Sequence, residues 1–410
     1  MNVNNTERWA RLVVGALALL FAGVIYSWTI LKAGFAEFGW STASLSLNYT
    51  LTIMFFCIGG FVSGLVSRKV SVRTRILTSA ALFFVSFCVT GLLKPGSSSI
   101  LILYLAYGIC AGFAAGLVYA TVVGLAVAWF PDKSGLCSGV LMGSFGLTTF
   151  IIGNAAKAVA ALPAVGWSKT YIIIAVAIGV VISAAAFFLR LPAPDTIFPA
   201  AKTPGHPQNA AESPAPRDYT TREMVKTLTF WKAFIFIILI ACIGSAAIGL
   251  ASDILNSLGA QNPAFLVSFL LLGNAVGRIA TGALFDKLGI RKTQWFMGLM
   301  LIAAAAVTLA ACLLRSLPLG ILGIALCSFS YGFAPTSSGT FCGKLFGTKH
   351  FQSNFGVMNL ILIPAPFAAT LAAGLYQRSG SFVSSFVILT VVAVAALFVN
   401  LSIRTKKSHS

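Results

Sequence analysis

The segment NAVGRIATGALFDKLGIRKT, Asn274 to Thr293, carries an arginine inside an apolar run. Arg278 follows PAFLVSFLLLG and precedes Asp286, where polarity returns, by eight residues. At ~1.5 Å per helical residue it lies ~12 Å inside that boundary, near the middle of a ~30 Å hydrocarbon core. Placing arginine there costs roughly 2.5–3.5 kcal/mol on insertion scales, and the reach to the interface is long for snorkelling. Such a residue faces a polar cavity by default; the competing reading is an arginine that only packs or snorkels. Its planar, permanently charged guanidinium suits bidentate binding of a carboxylate. Asn274, four residues earlier, shares the same helical face. Its amide can orient the guanidinium or an anion but cannot take a proton.

A second cation, Lys32 in YSWTILKAG, lies toward the outer end of the first apolar run. It is either an ordinary interfacial lysine or the first charge an arriving anion meets. Tyr26 and Trp28 stand beside it, Tyr119 lies in GLVYATVVG, Phe145 in GSFG and Tyr331 in SYGFAP. These five are the preferred cavity-lining aromatics, because an aromatic ring walls an apolar pocket and a tyrosine also donates a hydrogen bond. Core or lipid contact is the competing reading for each. Gly108, Gly112 and Gly116 are four apart, which permits close helix packing, and Pro364 and Pro366 should kink their helix.

Enzyme chemistry finds no footing. Of the three histidines, His206 and His409 fall in a polar linker and the tail and His350 in a loop, and none of the nine acids sits mid-membrane, Asp253 coming nearest. No metal cluster, triad or phosphate loop can be assembled, so neither a cofactor nor a catalytic role is expected. The eight cysteines fall in or beside apolar runs without a CxxC and read as small packing residues.

The elements that position these residues are apolar helices. The chain has 410 residues, 58% hydrophobic and 9% charged, with a mean hydropathy of +0.93, the profile of a polytopic membrane protein. Twelve runs are long enough to cross a bilayer, near 11–33, 46–67, 76–94, 99–129, 135–158, 169–190, 231–256, 263–285, 294–314, 318–341, 353–376 and 381–403. The first resembles a signal peptide in charge and length but lacks a small-residue cleavage pattern, so it reads as a retained helix. Cations alternate by loop: Arg8 and Arg11, then Arg68 to Arg75, then Arg190 to Lys232, then Lys287 to Lys292, then Arg404 to Lys407. The positive-inside rule puts both termini and the central loop in the cytoplasm of a cell-membrane protein. The net charge of +19 is thereby topology rather than a sign of nucleic acid.

Residues 191–230, rich in Pro, Ala and polar residues, form a linker between bundles at 1–190 and 231–410. GLVSRKVSVRTR from Gly64 matches GALFDKLGIRKT from Gly282, and FPDK from Phe130 matches FGTK from Phe346, at offsets of 218 and 216. The expected fold is all-α, with twelve transmembrane helices in two pseudo-symmetric six-helix bundles and any substrate site between the halves.

The pattern Gly282-x-Leu284-x-Asp286-Lys287-x-Gly289-x-Arg291-Lys292 resembles the loop signature of the major facilitator superfamily. The first-half copy departs, with Arg68 where the acid is usual and Ser71 where the glycine is. YSWT at Tyr26, WFPDKSGLCSGV at Trp129, REMVKTLTFW at Arg222 and FGTKHFQSNFG at Phe346 together resemble the oxalate/formate antiporter family, with kinship to monocarboxylate transporters. The resemblance implies small organic anions as substrates, Arg278 as the carboxylate ligand and a functional lysine at Lys32. Relatives that carry dicarboxylates add a lysine at a place equivalent to Leu362, and proton symporters an aspartate at Asn274; this chain has neither. The expectation is a monomeric secondary transporter exchanging small carboxylates, monocarboxylates such as formate, lactate or pyruvate favoured. Proton-coupled symport and oxalate/formate exchange are the near rivals; a transporter-like receptor and efflux of apolar cations are remote ones.

Overall fold

A computed structural model describes residues 5–96, 98–193, 196, 198 and 217–403. Most of the central linker, the tail cations Arg404, Lys406 and Lys407, and His206 and His409 lie outside the described residues. Eleven helical stretches are long and apolar enough to cross a membrane. They are α1 (Asn5–Phe38), α2 (Ser44–Val66), α3 (Val72–Gly91), α4 (Ser99–Trp129), α5 (Ser134–Ala160) and α6 (Gly166–Phe188). There follow α7 (Leu228–Gly249), α8 (Phe265–Leu314), α9 (Leu317–Phe346), α10 (Phe351–Ser379) and α11 (Val383–Leu401). In lipid the backbone must satisfy its own hydrogen bonds, and a helix does so within one segment. Val85, Leu101, Phe187, Leu299 and Phe398 are exposed, as suits helix faces that meet acyl chains.

The difference between eleven stretches and twelve expected runs resides in α8. Its 50 residues would span ~75 Å as a straight helix, more than twice a ~30 Å core. Gly289, at φ 75° and ψ 176°, breaks it into two crossings, in a region of backbone space open to glycine and costly for other residues. The repeat-related residue of the first half, Ser71, sits at φ −61° and ψ 154° and accepts a hydrogen bond from the Thr74 N–H, capping α3. One connection thus turns on glycine's freedom and the other on a serine cap, an interaction of about 1 kcal/mol.

The chain forms two compact units. The first comprises Met1–Pro131, Ser144–Pro199 and Phe351–Leu360; the second comprises Asp132–Gly143, Ala200–His350 and Ile361–Ser410. The start of α5 therefore belongs to the second unit and the start of α10 to the first.

Inside the first unit the small-residue face of α4 meets α2 at matching four-residue intervals. A Cβ built on Gly108 would meet the Asn48 side chain at 3.0 Å, one on Gly112 the Thr52 carbonyl at 2.5 Å, and one on Gly116 the Phe56 carbonyl. Glycine here lets two backbones touch. Basic residues near the chain start cap the carbonyl ends of helices in the same unit. Arg8 donates from Nε to Trp129 O at 2.9 Å and Arg11 donates to Phe188 O, where the helix dipole favours positive charge. All eight cysteines carry free thiols, buried or half-buried.

Candidate functional site

Arg278 lies in the second unit and is 2% exposed. Its Nη1 donates to Met142 O at 2.6 Å and its Nε to Asn274 Oδ1 at 3.1 Å. Backbone contacts hold the residue in place. A Cβ on Gly139 of α5 would meet Arg278 O at 2.6 Å, and one on Gly332 of α9 would meet Asn274 O at 2.5 Å and Arg278 N at 2.7 Å. Thr336 Oγ1 also donates to Arg278 O at 3.2 Å. The side chain thus has neutral partners only: among the described residues no ion pair includes Arg278. A buried charge without a counter-charge is strongly disfavoured. Chemically the arrangement is a cation held by a carbonyl and an amide, suited to a carboxylate that completes its coordination.

The other sequence-selected residues separate into distinct environments. In the first unit Tyr26 meets Phe145 edge-on at 5.2 Å, and Tyr119 meets Phe145 edge-on at 5.0 Å. Phe56 joins Tyr119 at 5.2 Å and Phe355 stacks on Tyr119 at 6.0 Å. Such pairs contribute roughly 0.5–1.5 kcal/mol beyond their area burial. Trp28 lies elsewhere in that unit: its indole donates to Leu45 O at 2.9 Å and its ring packs on Tyr107 at 4.7 Å. Lys32 is exposed, at the start of the tight helical turn Lys32–Phe38. In the second unit Tyr331 lies against Gly244, where an added Cβ would meet the Tyr331 Cβ at 2.6 Å.

The loop repeats hold the starts of α5 and α10 by different chemistry. In the second unit Asp286 Oδ1 accepts from Gly135 N at 3.2 Å and Oδ2 from Leu136 N at 2.7 Å. The carboxylate thus sits on the amino end of α5, with Lys344 Nζ at 3.3 Å, a favourable place for negative charge. In the first unit the acid's place is taken by Arg68, and the buried Arg75 acts instead. Its Nη1 donates to Gln352 Oε1 at 3.0 Å and lies 3.3 Å from Ser63 Oγ and 3.4 Å from Thr121 Oγ1. Gly135 and Gln352 occupy positions 217 apart, so the repeat conserves what is held and changes what holds it.

Phe56, Phe355, Arg75 and Gln352 were not singled out from the sequence. The four-residue glycine spacing of α4 points to a close partner but not to α2. The doubled loop marks Arg75 only as one of several basic residues.

Comparison with known proteins is consistent with this architecture. The family model of the Major Facilitator Superfamily matches residues 12–363. The chain is 24% identical over 363 residues to an uncharacterized MFS-type transporter, YhjX, of Escherichia coli (strain K12), covering 86% of this chain and 84% of that protein. It is 25% identical over 360 residues to the oxalate:formate antiporter of Oxalobacter formigenes, covering 85% and 80%. The E. coli fucose:proton symporter FucP superposes with a TM-score of 0.70 at 12% identity, covering 98% of this chain and 100% of that one. The proton:xylose symporter XylE gives 0.67 at 12%, covering 97% and 95%. At those identities the solved structures bear on the fold alone, which is that of two six-helix bundles. With its helical membrane spans and a family match over most of its length, the chain belongs to the major facilitator superfamily: it is a multi-pass membrane transporter and not an enzyme.

Proposed function

We propose that this protein is a secondary active transporter of small organic carboxylates, monocarboxylates favoured, working by alternating access and anion exchange. The observation that carries the reading is Arg278, a buried guanidinium whose partners are a carbonyl and an amide rather than an acid. A bound carboxylate neutralises it, so the loaded carrier changes conformation more cheaply than the empty one. That asymmetry favours exchange over net flux. The similarity to an oxalate:formate antiporter supports an anion as the solute class. Proton symport would call for an acid that titrates in mid-membrane, and the side chain one turn from Arg278 is the amide of Asn274.

The same reading places the carrier in the cell membrane with both termini cytoplasmic, functional as a monomer, with residues 191–230 joining bundles at 1–190 and 231–410. Tyr26, Tyr119 and Phe145 are proposed as solute-facing aromatics, Trp28 and Tyr331 as supporting ones, and Lys32 as the outermost cation. The test is counterflow in proteoliposomes, loading formate, acetate, lactate, pyruvate, oxalate or malonate and following labelled lactate. Trans-stimulation by a monocarboxylate is expected. Uptake indifferent to every internal carboxylate, yet driven by an imposed pH gradient, would favour symport instead.

A further inference from the structure

Helix α10 begins in the first unit and continues in the second, the division falling between Leu360 and Ile361. The helix is interrupted at the same place: the segment Phe351–Met358 gives way to the tight turn Asn359–Leu362, and regular helix resumes with Ala365–Ser379. Pro364 follows the turn and has no N–H with which to continue a helical ladder. The start of α10 is thus a short rigid segment joined to the remainder by a break, and a few element-terminal residues of this kind are what a hinge requires.

Within the first unit that segment runs antiparallel along α2. A Cβ on Gly64 would meet Gln352 O at 2.5 Å and Ser353 Cα at 2.6 Å, and one on Gly356 would meet Phe61 Cα at 2.8 Å and Gly60 O at 2.9 Å. Cys57, further back on α2, donates its thiol to Asn359 O at 3.4 Å and is 0% exposed. At the end away from the break, Arg75 Nη1 donates to Gln352 Oε1 at 3.0 Å, with Ser63 Oγ and Thr121 Oγ1 at 3.3 and 3.4 Å. Arg75 is buried and, among the described residues, belongs to no ion pair. Glutamate has the size of glutamine, so space does not dictate the neutral partner; an amide in that place makes a weaker tie than a carboxylate of the same geometry would.

We propose that Arg75 and Gln352 form a releasable clamp within the first unit. It holds the start of α10 against α2, the break at Asn359–Leu362 is its hinge, and its neutral acceptor keeps the closed state from being too stable to open in each transport cycle. Closed, the clamp covers Cys57; lifted, it uncovers the thiol. Its use in transport rests on the alternating-access reading, whereas its opening is a property of the first unit that needs no solute. The extent of opening is set by the free-energy difference between the two states, so a change confined to the Arg75–Gln352 tie shifts it in a direction fixed by the chemistry of residue 352.

The experiment is N-ethylmaleimide labelling of Cys57 in the purified full-length protein without solute, read by peptide mass spectrometry. Cys327 of the second unit, also buried, marks global unfolding. Gln352→Glu supplies the missing charge at unchanged size and should slow Cys57 labelling about tenfold or more, the effect of a buried counter-charge. Gln352→Asn, one methylene short of Arg75, should speed it about three- to tenfold, the worth of one net hydrogen bond. Cys327 should keep its wild-type rate in both; should Gln352→Asn expose it, Gln352→Glu, which shortens nothing, decides. Equal Cys57 rates in the three proteins overturn the clamp, and so do shifts of the same sign. Lactate counterflow gives the second readout: Gln352→Glu should lower the maximal rate, and a wild-type rate in a protein whose Cys57 is protected overturns the need for release. If no carboxylate is carried, the solute reading fails alone and the labelling still decides the clamp.

Discussion

Replacing Arg278 by lysine keeps the charge and removes the shape, which makes it the sharpest probe of the proposed anion site. The guanidinium uses Nη1 for Met142 O and Nε for Asn274 Oδ1, and Nη2 makes none of the hydrogen bonds found among the described residues. A carboxylate can therefore take Nη2 and share a second donor of the same planar group. A lysine has a single nitrogen with three hydrogens. Holding the Met142 carbonyl and the Asn274 amide leaves it one hydrogen for an incoming carboxylate rather than two. The loss of one charge-assisted hydrogen bond is worth about 1.5–3 kcal/mol, a 10- to 150-fold rise, roughly, in the half-saturating concentration. Arg278→Ala removes the counter-charge as well and should abolish counterflow, since the carboxylate would then be buried without a partner. The assay is lactate counterflow at graded internal and external concentrations, with Tm in detergent to exclude unfolding. An Arg278→Lys protein whose half-saturation stays within about threefold of wild type would refute bidentate recognition at this position, since less than one such bond would have been lost.

Further expectations follow from other parts of the molecule. Lys32→Gln should weaken affinity and salt dependence for external anion more than for internal anion, because Lys32 is exposed and acts through screened charge; equal loss from both sides contradicts a role on arrival. Oxalate and malonate should compete with labelled lactate at least tenfold more weakly than monocarboxylates, roughly 1.4 kcal/mol or more for an unpaired second charge, and Leu362→Lys should narrow that gap. Competition by the dianions at parity would remove the one-cation argument. Asp286→Asn should loosen the start of α5, since it replaces one of the two oxygens that accept from Gly135 N and Leu136 N with an NH2 donor and removes the negative charge; increased maleimide labelling of the buried Cys137, read by peptide mass spectrometry, is the measure, and unaltered labelling counts against the cap. Gly116→Ala would drive a methyl group into the Phe56 carbonyl and should lower Tm by the equivalent of about 1–3 kcal/mol; a neutral effect would mean that α2 and α4 can separate freely.

What could be read in the chain and what could not divide along one physical line. Helix formation in lipid is decided locally, because each segment must satisfy its own backbone. The apolar runs, the place of Arg278 within one of them, its neighbour Asn274 one turn away and the doubled loop were therefore visible in order of sequence. Even the break at Gly289 could be inferred, since no single helix of that length fits a bilayer. Partner choice is a different matter, because it depends on side chains that meet across long separations. Nothing near Arg75 in the sequence announces Gln352, 277 residues away, and nothing near Gly135 announces Asp286, 151 residues away. The same holds for the aromatics: Tyr26 and Trp28 are two residues apart, yet the tertiary structure sends one ring to Phe145 and the other to Tyr107. A stretch of α1 in tight helical turns rather than regular α-helix changes which faces those residues share, and only the packed neighbours decide that. Asn359 makes the point most plainly, since asparagine in an apolar run is unremarkable until the fold encloses it with both amide ends unpaired.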